Sequence, residues 1–218
     1  MALHAPVSRR AWQWLKRRAR NLRILRWLRS DRYLLLHAIE APHVKPAGDD
    51  DGLRCNRLED LALFEQTERW LAQQAFAAEA RQRIADGMRL YTAVDGGRLV
   101  HYGWLVPRQA AAWLPYVRQH FVFPEGTAVL YNAYTHPAAR GTGLHERSMR
   151  RRMYDAARLD GTRWVYTAIE SHNLVSRRVA QRAGFRCVGV LFERVRLGRA
   201  ERGCMAADDY LRDIEHHA

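Results

Sequence analysis

Hydrophobic and polar positions change period several times between residues 128 and 185. The run Ala128-Val129-Leu130-Tyr131-Asn132-Ala133-Tyr134-Thr135 is rich in β-branched and aromatic residues and predicts a strand. A basic glycine turn, Arg140-Gly141-Thr142-Gly143-Leu144, leads into helix-like spacing as far as Leu159. Residues 165–170 alternate as a second strand, and Asn173 caps a helix over 174–183 that Gly184 stops. Upstream, 90–94 and 98–105 predict two strands joined by a hairpin turn at Asp95-Gly96-Gly97. Leu61, Phe64, Trp70 or Leu71, and Ala75 or Phe76 fall near helix spacing across 58–80. Residues 33–39 predict the first strand, 41–52 a loop, and 188–197 a strand. A turn at 198–203 and an antiparallel return over 204–210 follow. Trp70, Phe76 and Trp104 are assigned to the core.

The glycine turn carries the chemistry. Gly141 and Gly143 lack a Cβ, so their backbone can take positive φ and approach a ligand closely. The first N–H groups of the following helix lack internal partners and suit a diphosphate. Two commoner phosphate loops fit poorly. No lysine stands where the Walker pattern needs one, and His145 occupies the place of the third small residue of the dinucleotide fingerprint. The spacer to the Asn173 helix is too short for a separate domain, so both helix starts are expected to serve one site.

The run 134–144, then Asn173-x-x-Ser176 and Ala183-Gly184-Phe185, resembles the GNAT-type acyl-CoA-dependent N-acyltransferase superfamily. The resemblance implies an α/β (α+β) fold, a mixed, mostly antiparallel central sheet flanked by helices, and acetyl-CoA or another acyl-CoA as co-substrate. Carried over residue by residue, it implies backbone contacts to the CoA diphosphate from Arg140, Gly141, Thr142, Gly143, Leu144 and His145, with Thr135 also among the cofactor-binding residues. It also implies that Asn173 and Ser176 approach the pantetheine arm. Many relatives place an acid on the central strand and a tyrosine on the later helix; those places fall here on Asn132 and Ala180, which can do neither job. Glu170 is therefore the first candidate base and His172 the second, with Tyr134 as donor to the oxyanion or thiolate. Acceptor specificity would come from 58–87 and 107–126, which show no diagnostic cluster.

Composition adds a second feature. The 218-residue chain is 48% hydrophobic with a net charge of +13, long enough for one sizeable core. Residues 1–32 hold ten basic groups against Asp31 alone, net +9, interleaved with Trp12, Trp14, Leu15, Leu22, Ile24, Leu25, Trp27 and Leu28. The chain is expected to divide into a basic, aromatic helical arm (1–32) and a domain (33–218) that the resemblance implies is an acyltransferase. The arm fits peripheral contact with an anionic membrane, or packing on the domain or on a second copy as a homodimer. Nucleic acid is disfavoured, because no recognition motif accompanies the arginines. The charges run through the apolar residues, which argues against a cleavable signal peptide. Cys55, Cys187 and Cys204 are odd in number and widely spaced, so neither disulfides nor a metal site is expected; His216-His217 reads as a frayed tail. The expected setting is the cytoplasm, peripherally at the inner face of the membrane, with a small-molecule or envelope-precursor acceptor. Two other readings stand beside N- or O-acyl transfer: a non-catalytic membrane- or protein-binding adaptor, and aminoacyl transfer from charged tRNA.

Overall fold

The computed structural model describes residues 29–48, 52–67 and 73–210. Most of the basic arm, residues 1–28, lies outside the described residues. Eight strands form one sheet in the order β10-β9-β1-β8-β7-β4-β3-β2. They are β1 (Arg29–Glu40), β2 (Arg54–Cys55), β3 (Arg89–Asp95), β4 (Arg98–Val106), β7 (Thr127–Thr135), β8 (Trp164–Glu170), β9 (Arg186–Arg196) and β10 (Arg199–Met205). A separate hairpin pairs β5 (Ala111–Leu114) with β6 (Gln119–Val122). Every pairing in the large sheet is antiparallel except β7 with β8. That pair is joined through a helix, as a parallel crossover requires.

Among the described residues, helices α1 (Gln73–Ala85), α2 (Leu144–Ala157) and α3 (Leu174–Ala183) pack on the sheet, and a further helical segment begins at residue 207. Strand alternation sorts the core into two faces. Tyr91, Leu105, Leu130 and Val165 point toward Met149 and Met153 of α2 and Val179 and Ala183 of α3. Their neighbours Leu90, Trp104 and Tyr134 point the other way, toward Phe64 and Phe76. Trp104 is fully buried, which by area alone stabilises the fold by roughly 2–3 kcal/mol. Phe121 and Phe123 bring the β5–β6 hairpin onto the same face, against Val129 and Tyr166.

Several boundaries differ from the sequence reading. The first strand begins at Arg29, four residues earlier than the pattern suggests, because Arg29 to Arg32 continue the ladder against 193–196 of β9. Arg32, counted with the arm by sequence, donates to the buried carboxylate of Glu193 at 3.2 Å, and Arg202 reaches the same carboxylate. The helix expected over 58–80 is a short 3-10 helix (Leu58–Leu63) followed by non-helical 64–67, where Phe64 turns to extended backbone and inserts among aromatic rings. Helix α1 then runs on to Ala85. The last turn is tighter than 198–203: Leu197 and Gly198 both take positive φ, and β10 starts at Arg199. Trp104 and Phe76 lie in the core as expected, whereas Trp70 falls outside the described residues. No described helix is long and apolar enough to cross a membrane, and no group of metal-ligating side chains gathers among the described residues.

A polar seam interrupts the contact between α2 and β4. Arg152, 1% exposed, donates from Nε to the Ser148 carbonyl at 3.2 Å and from Nη1 to the Trp104 carbonyl at 3.1 Å. Gly103 makes this possible: a Cβ there would stand 2.7 Å from the Arg152 Cζ. His101 is fully buried, with Nδ1 2.9 Å from the Thr135 hydroxyl, and its ring lies 6.0 Å from that of His145. Burial, reinforced by the Arg152 charge, lowers the pKa of His101 well below the ordinary histidine value and that of His145 to about 4.

Gly103→Ala is expected to lower stability by about 1–3 kcal/mol, since the buried guanidinium cannot swing into solvent to make room. Thermal unfolding measures this, and an unchanged midpoint would contradict the packing described. Both histidines are neutral when folded and bind protons near pH 6.5 when unfolded, so their contribution is present above that pH and declines as the pH falls toward 4. His145 alone accounts for on the order of 2–3 kcal/mol across that window. Denaturant midpoints from pH 7 to 4.5 should fall steadily, and His145→Gln should flatten the slope; an equal slope in the variant would contradict the assignment.

Candidate active site

Strands β7 and β8 pair through four positions, from Thr127↔Trp164 to Leu130↔Thr167, and then part. Beyond that point β8 stays with β1, through Leu34↔Glu170, while β7 stays with β4. The β4–β7 register steps from Trp104↔Tyr131 to Tyr102↔Tyr134, so Gly103 alone faces Asn132 and Ala133. This is a β-bulge, and it turns β7 away from β8. Asn132 sits in it with φ 46°, a left-handed conformation that asparagine tolerates better than most side chains. The site that resemblance assigns to an acid is thus a backbone kink.

The parting opens a cleft of about 260 Å³, walled by Asn132, His145, Arg152, Thr167, Asn173 and Ser176 among others. Its two ends of helix are the ones singled out by sequence. At α2, Gly141 and Gly143 have φ of 85° and 77°, and Gly143 is the N-cap. A Cβ on Gly141 would touch nothing, so handedness, not space, calls for glycine there. The turn is braced by its own side chains: the Thr142 hydroxyl donates to the Ala139 carbonyl at 2.8 Å, Arg147 Nη1 to the Thr142 carbonyl at 2.9 Å, and Arg140 Nε to the Thr135 carbonyl at 3.2 Å. None of these bonds uses the first N–H groups of the helix. At α3, Asn173 Oδ1 accepts from the Ser176 N–H at 3.1 Å, which leaves the Asn173 amide donors.

Glu146 ties the two helices together. Its carboxylate receives Arg182 of α3 at 2.8 Å and Arg150 of α2 at 3.0 Å, and these bonds hold its pKa below the usual carboxylate range. The start of α2 is therefore tied to the last turn of α3.

At the rim, Glu170 Oε2 lies 3.3 Å from His172 Nε2, and His172 Nδ1 lies 3.4 Å from the Tyr116 hydroxyl. Burial, with the Glu170 charge behind it, raises the Tyr116 pKa, so this hydroxyl keeps its proton at neutral pH. Glu170 also lines the cleft. Tyr134 does not share this place. Its ring stacks on Tyr102 at 5.4 Å on the α1 face, and its hydroxyl bonds the Thr67 hydroxyl. Thr135 bonds His101 behind the cleft wall.

The structure thus brings His145, Asn173, Ser176 and Glu170 to one cleft, with the turn from Arg140 to Leu144 at the head of its α2 wall, and leaves Tyr134 outside it. Sequence reasoning missed Tyr116, which arrives from the β5–β6 connection, and Arg152. The second had a signal: Leu144, Ser148, Met149, Arg152, Met153 and Ala156 form the buried stripe of α2, and an arginine interrupts it.

Comparison with known proteins bears on the fold and the family. Three solved structures share the fold: a GNAT-family protein from Novosphingobium aromaticivorans (20% identity, TM-score 0.51), an acetyltransferase from the GNAT family of Colwellia psychrerythraea (16%, 0.52) and a GCN5-related N-acetyltransferase from Sphaerobacter thermophilus (13%, 0.50). They match 75%, 73% and 88% of this chain, which spans 63%, 53% and 58% of their own lengths. At these identities the likeness is one of fold. No curated protein sequence matches the chain. The family model of the Acetyltransferase (GNAT) family matches residues 55–185, a span that contains the bulge, the glycine turn and both helix openings. The chain belongs to the GNAT acetyltransferase family.

Proposed function

We propose that this protein transfers an acetyl or other acyl group from coenzyme A to an amine or hydroxyl by direct attack on the thioester. The observation that carries this reading is the cleft between the parted strands, shared by the openings of α2 and α3. Backbone N–H groups at the start of α2 hold the diphosphate, where the helix dipole adds to their pull. The Asn173 amide and the Ser176 hydroxyl orient the pantetheine arm along the cleft. The thioester then lies between the strands, close to Glu170.

Glu170 accepts the proton of the attacking group as its lone pair closes on the acyl carbon. The C–N or C–O bond forms, the C–S bond breaks, and the departing thiolate takes a proton. Tyr116, protonated and joined to Glu170 through His172, is our candidate to return it. A relay of this kind needs no acid on β7, which accounts for Asn132. Transfer to an amine is the first choice among the two acceptor classes, and the rim offers no cluster that names the acceptor further.

Acetyl-CoA at about 100 times its Kd should stabilise the fold by about 2.7 kcal/mol, a rise of several degrees in the unfolding midpoint. Gly143→Val, which forces a β-branched side chain to φ 77°, should abolish that rise. Glu170→Gln should keep it while reducing thiol release with amine acceptors by roughly 10²–10⁴-fold. No rise in the unaltered protein with any acyl-CoA would contradict the reading.

A further inference from the structure

The wall of the cleft contains a charge that acetyl transfer does not use. Arg152 is buried to 1% exposure, and its two hydrogen bonds run from Nε and Nη1 to backbone carbonyls. Among the described residues no carboxylate forms an ion pair with it, and Nη2 makes no hydrogen bond. The neighbouring side chains are also left with spare capacity. His145 Nε2 and Ser148 Oγ are buried without partners, as is His101 Nε2 behind them. His145 and Arg152 both face the cleft.

Removing a guanidinium from water costs several kcal/mol unless an anion or a full set of acceptors replaces the solvent. Two carbonyls satisfy two of its five N–H donors, so the site is short of acceptors and of negative charge. The acids that approach the cleft do not supply them. Glu170 stands at the rim, 41% exposed and turned to His172, and Glu146 is engaged by Arg150 and Arg182. A methyl group, the end of an acetyl chain, would leave this wall as unsatisfied as before.

We propose that the cleft is built for an acyl group ending in a carboxylate, of the malonyl or succinyl class, held by Arg152 with His145 beside it. This rests on the reading of the cleft as a CoA thioester site. The wall then supplies a charge-assisted donor to one end of the acyl chain while Glu170 serves the other, and the two acids are kept apart. Selectivity follows from the unpaired charge: an uncharged chain of equal length must bury Arg152 without a counter-ion, whereas the dicarboxylic chain brings its own.

Succinyl-CoA and butyryl-CoA have acyl chains of the same carbon count and differ at the terminal carboxylate, so titration calorimetry of both, with CoA alone alongside, isolates the effect. Succinyl-CoA should bind the full-length protein more tightly than butyryl-CoA by on the order of 10-fold. Arg152→Met should bring the ratio close to one, and Arg152→Lys should restore part of it. A ratio at or below one in the unaltered protein overturns the proposal, whether or not the methionine variant folds. A preference for succinyl-CoA that survives in a folded Arg152→Met overturns the assignment to Arg152. Failure of CoA itself to bind would overturn the proposal together with the reading of the cleft, whereas CoA binding with no succinyl preference overturns the carboxylate site alone.

Discussion

The parting of β7 from β8 is the constraint on which the site depends. Four ladder pairs hold the strands together, and the bulge at Asn132 and Ala133 ends their common course. A sheet that stayed closed would bury the backbone of both strands in hydrogen bonds and leave no room for a ligand. Here each strand keeps one neighbour, β4 or β1, so the gap opens without stripping either of its pairing. The helices that follow the two strands then begin on either side of the gap. The cleft is thus a consequence of where pairing stops.

The same place concentrates polar groups that a purely structural core would avoid. Arg152 fits under β4 only because Gly103 has no side chain, and it takes the Trp104 carbonyl next to the interrupted ladder. His101 and His145 are held neutral by burial beside that charge. Buried polar atoms without partners are expensive, and those of His145 and Ser148 on α2, with His101 behind them, stand beside the cleft. On the opposite face, Phe64, Phe76, Tyr102 and Tyr134 pack ring on ring. Strand alternation separates the two faces: Tyr134 packs in the aromatic core although it directly follows the bulge.

Local signals explain what was legible in the sequence. The glycine turn, the Asn173 cap, the Gly184 stop and the Asp95-Gly96-Gly97 hairpin are each fixed by the backbone preferences of a few adjacent residues, and each stands where the pattern puts it. Non-local facts were not legible. That Tyr134 turns from the cleft depends on a register set by β4, and that Tyr116 meets His172 depends on a hairpin folded across the sheet. Helix spacing over 58–80 was real in the apolar residues, yet the chain extends at Phe64 because that ring is needed among Phe76, Tyr102 and Tyr134. Arg32 looked like part of a solvated arm, and only the pairing of β1 with β9 shows it spent on Glu193.

The central claim is that two helix openings act as one grip. Amide hydrogen exchange measured with and without CoA tests it most directly, because the groups in question are backbone N–H. CoA is expected to slow exchange together at 143–145 and at 174–176, with little change in the aromatic face around Tyr134. Protection confined to one of the two openings, or appearing only elsewhere, would contradict it.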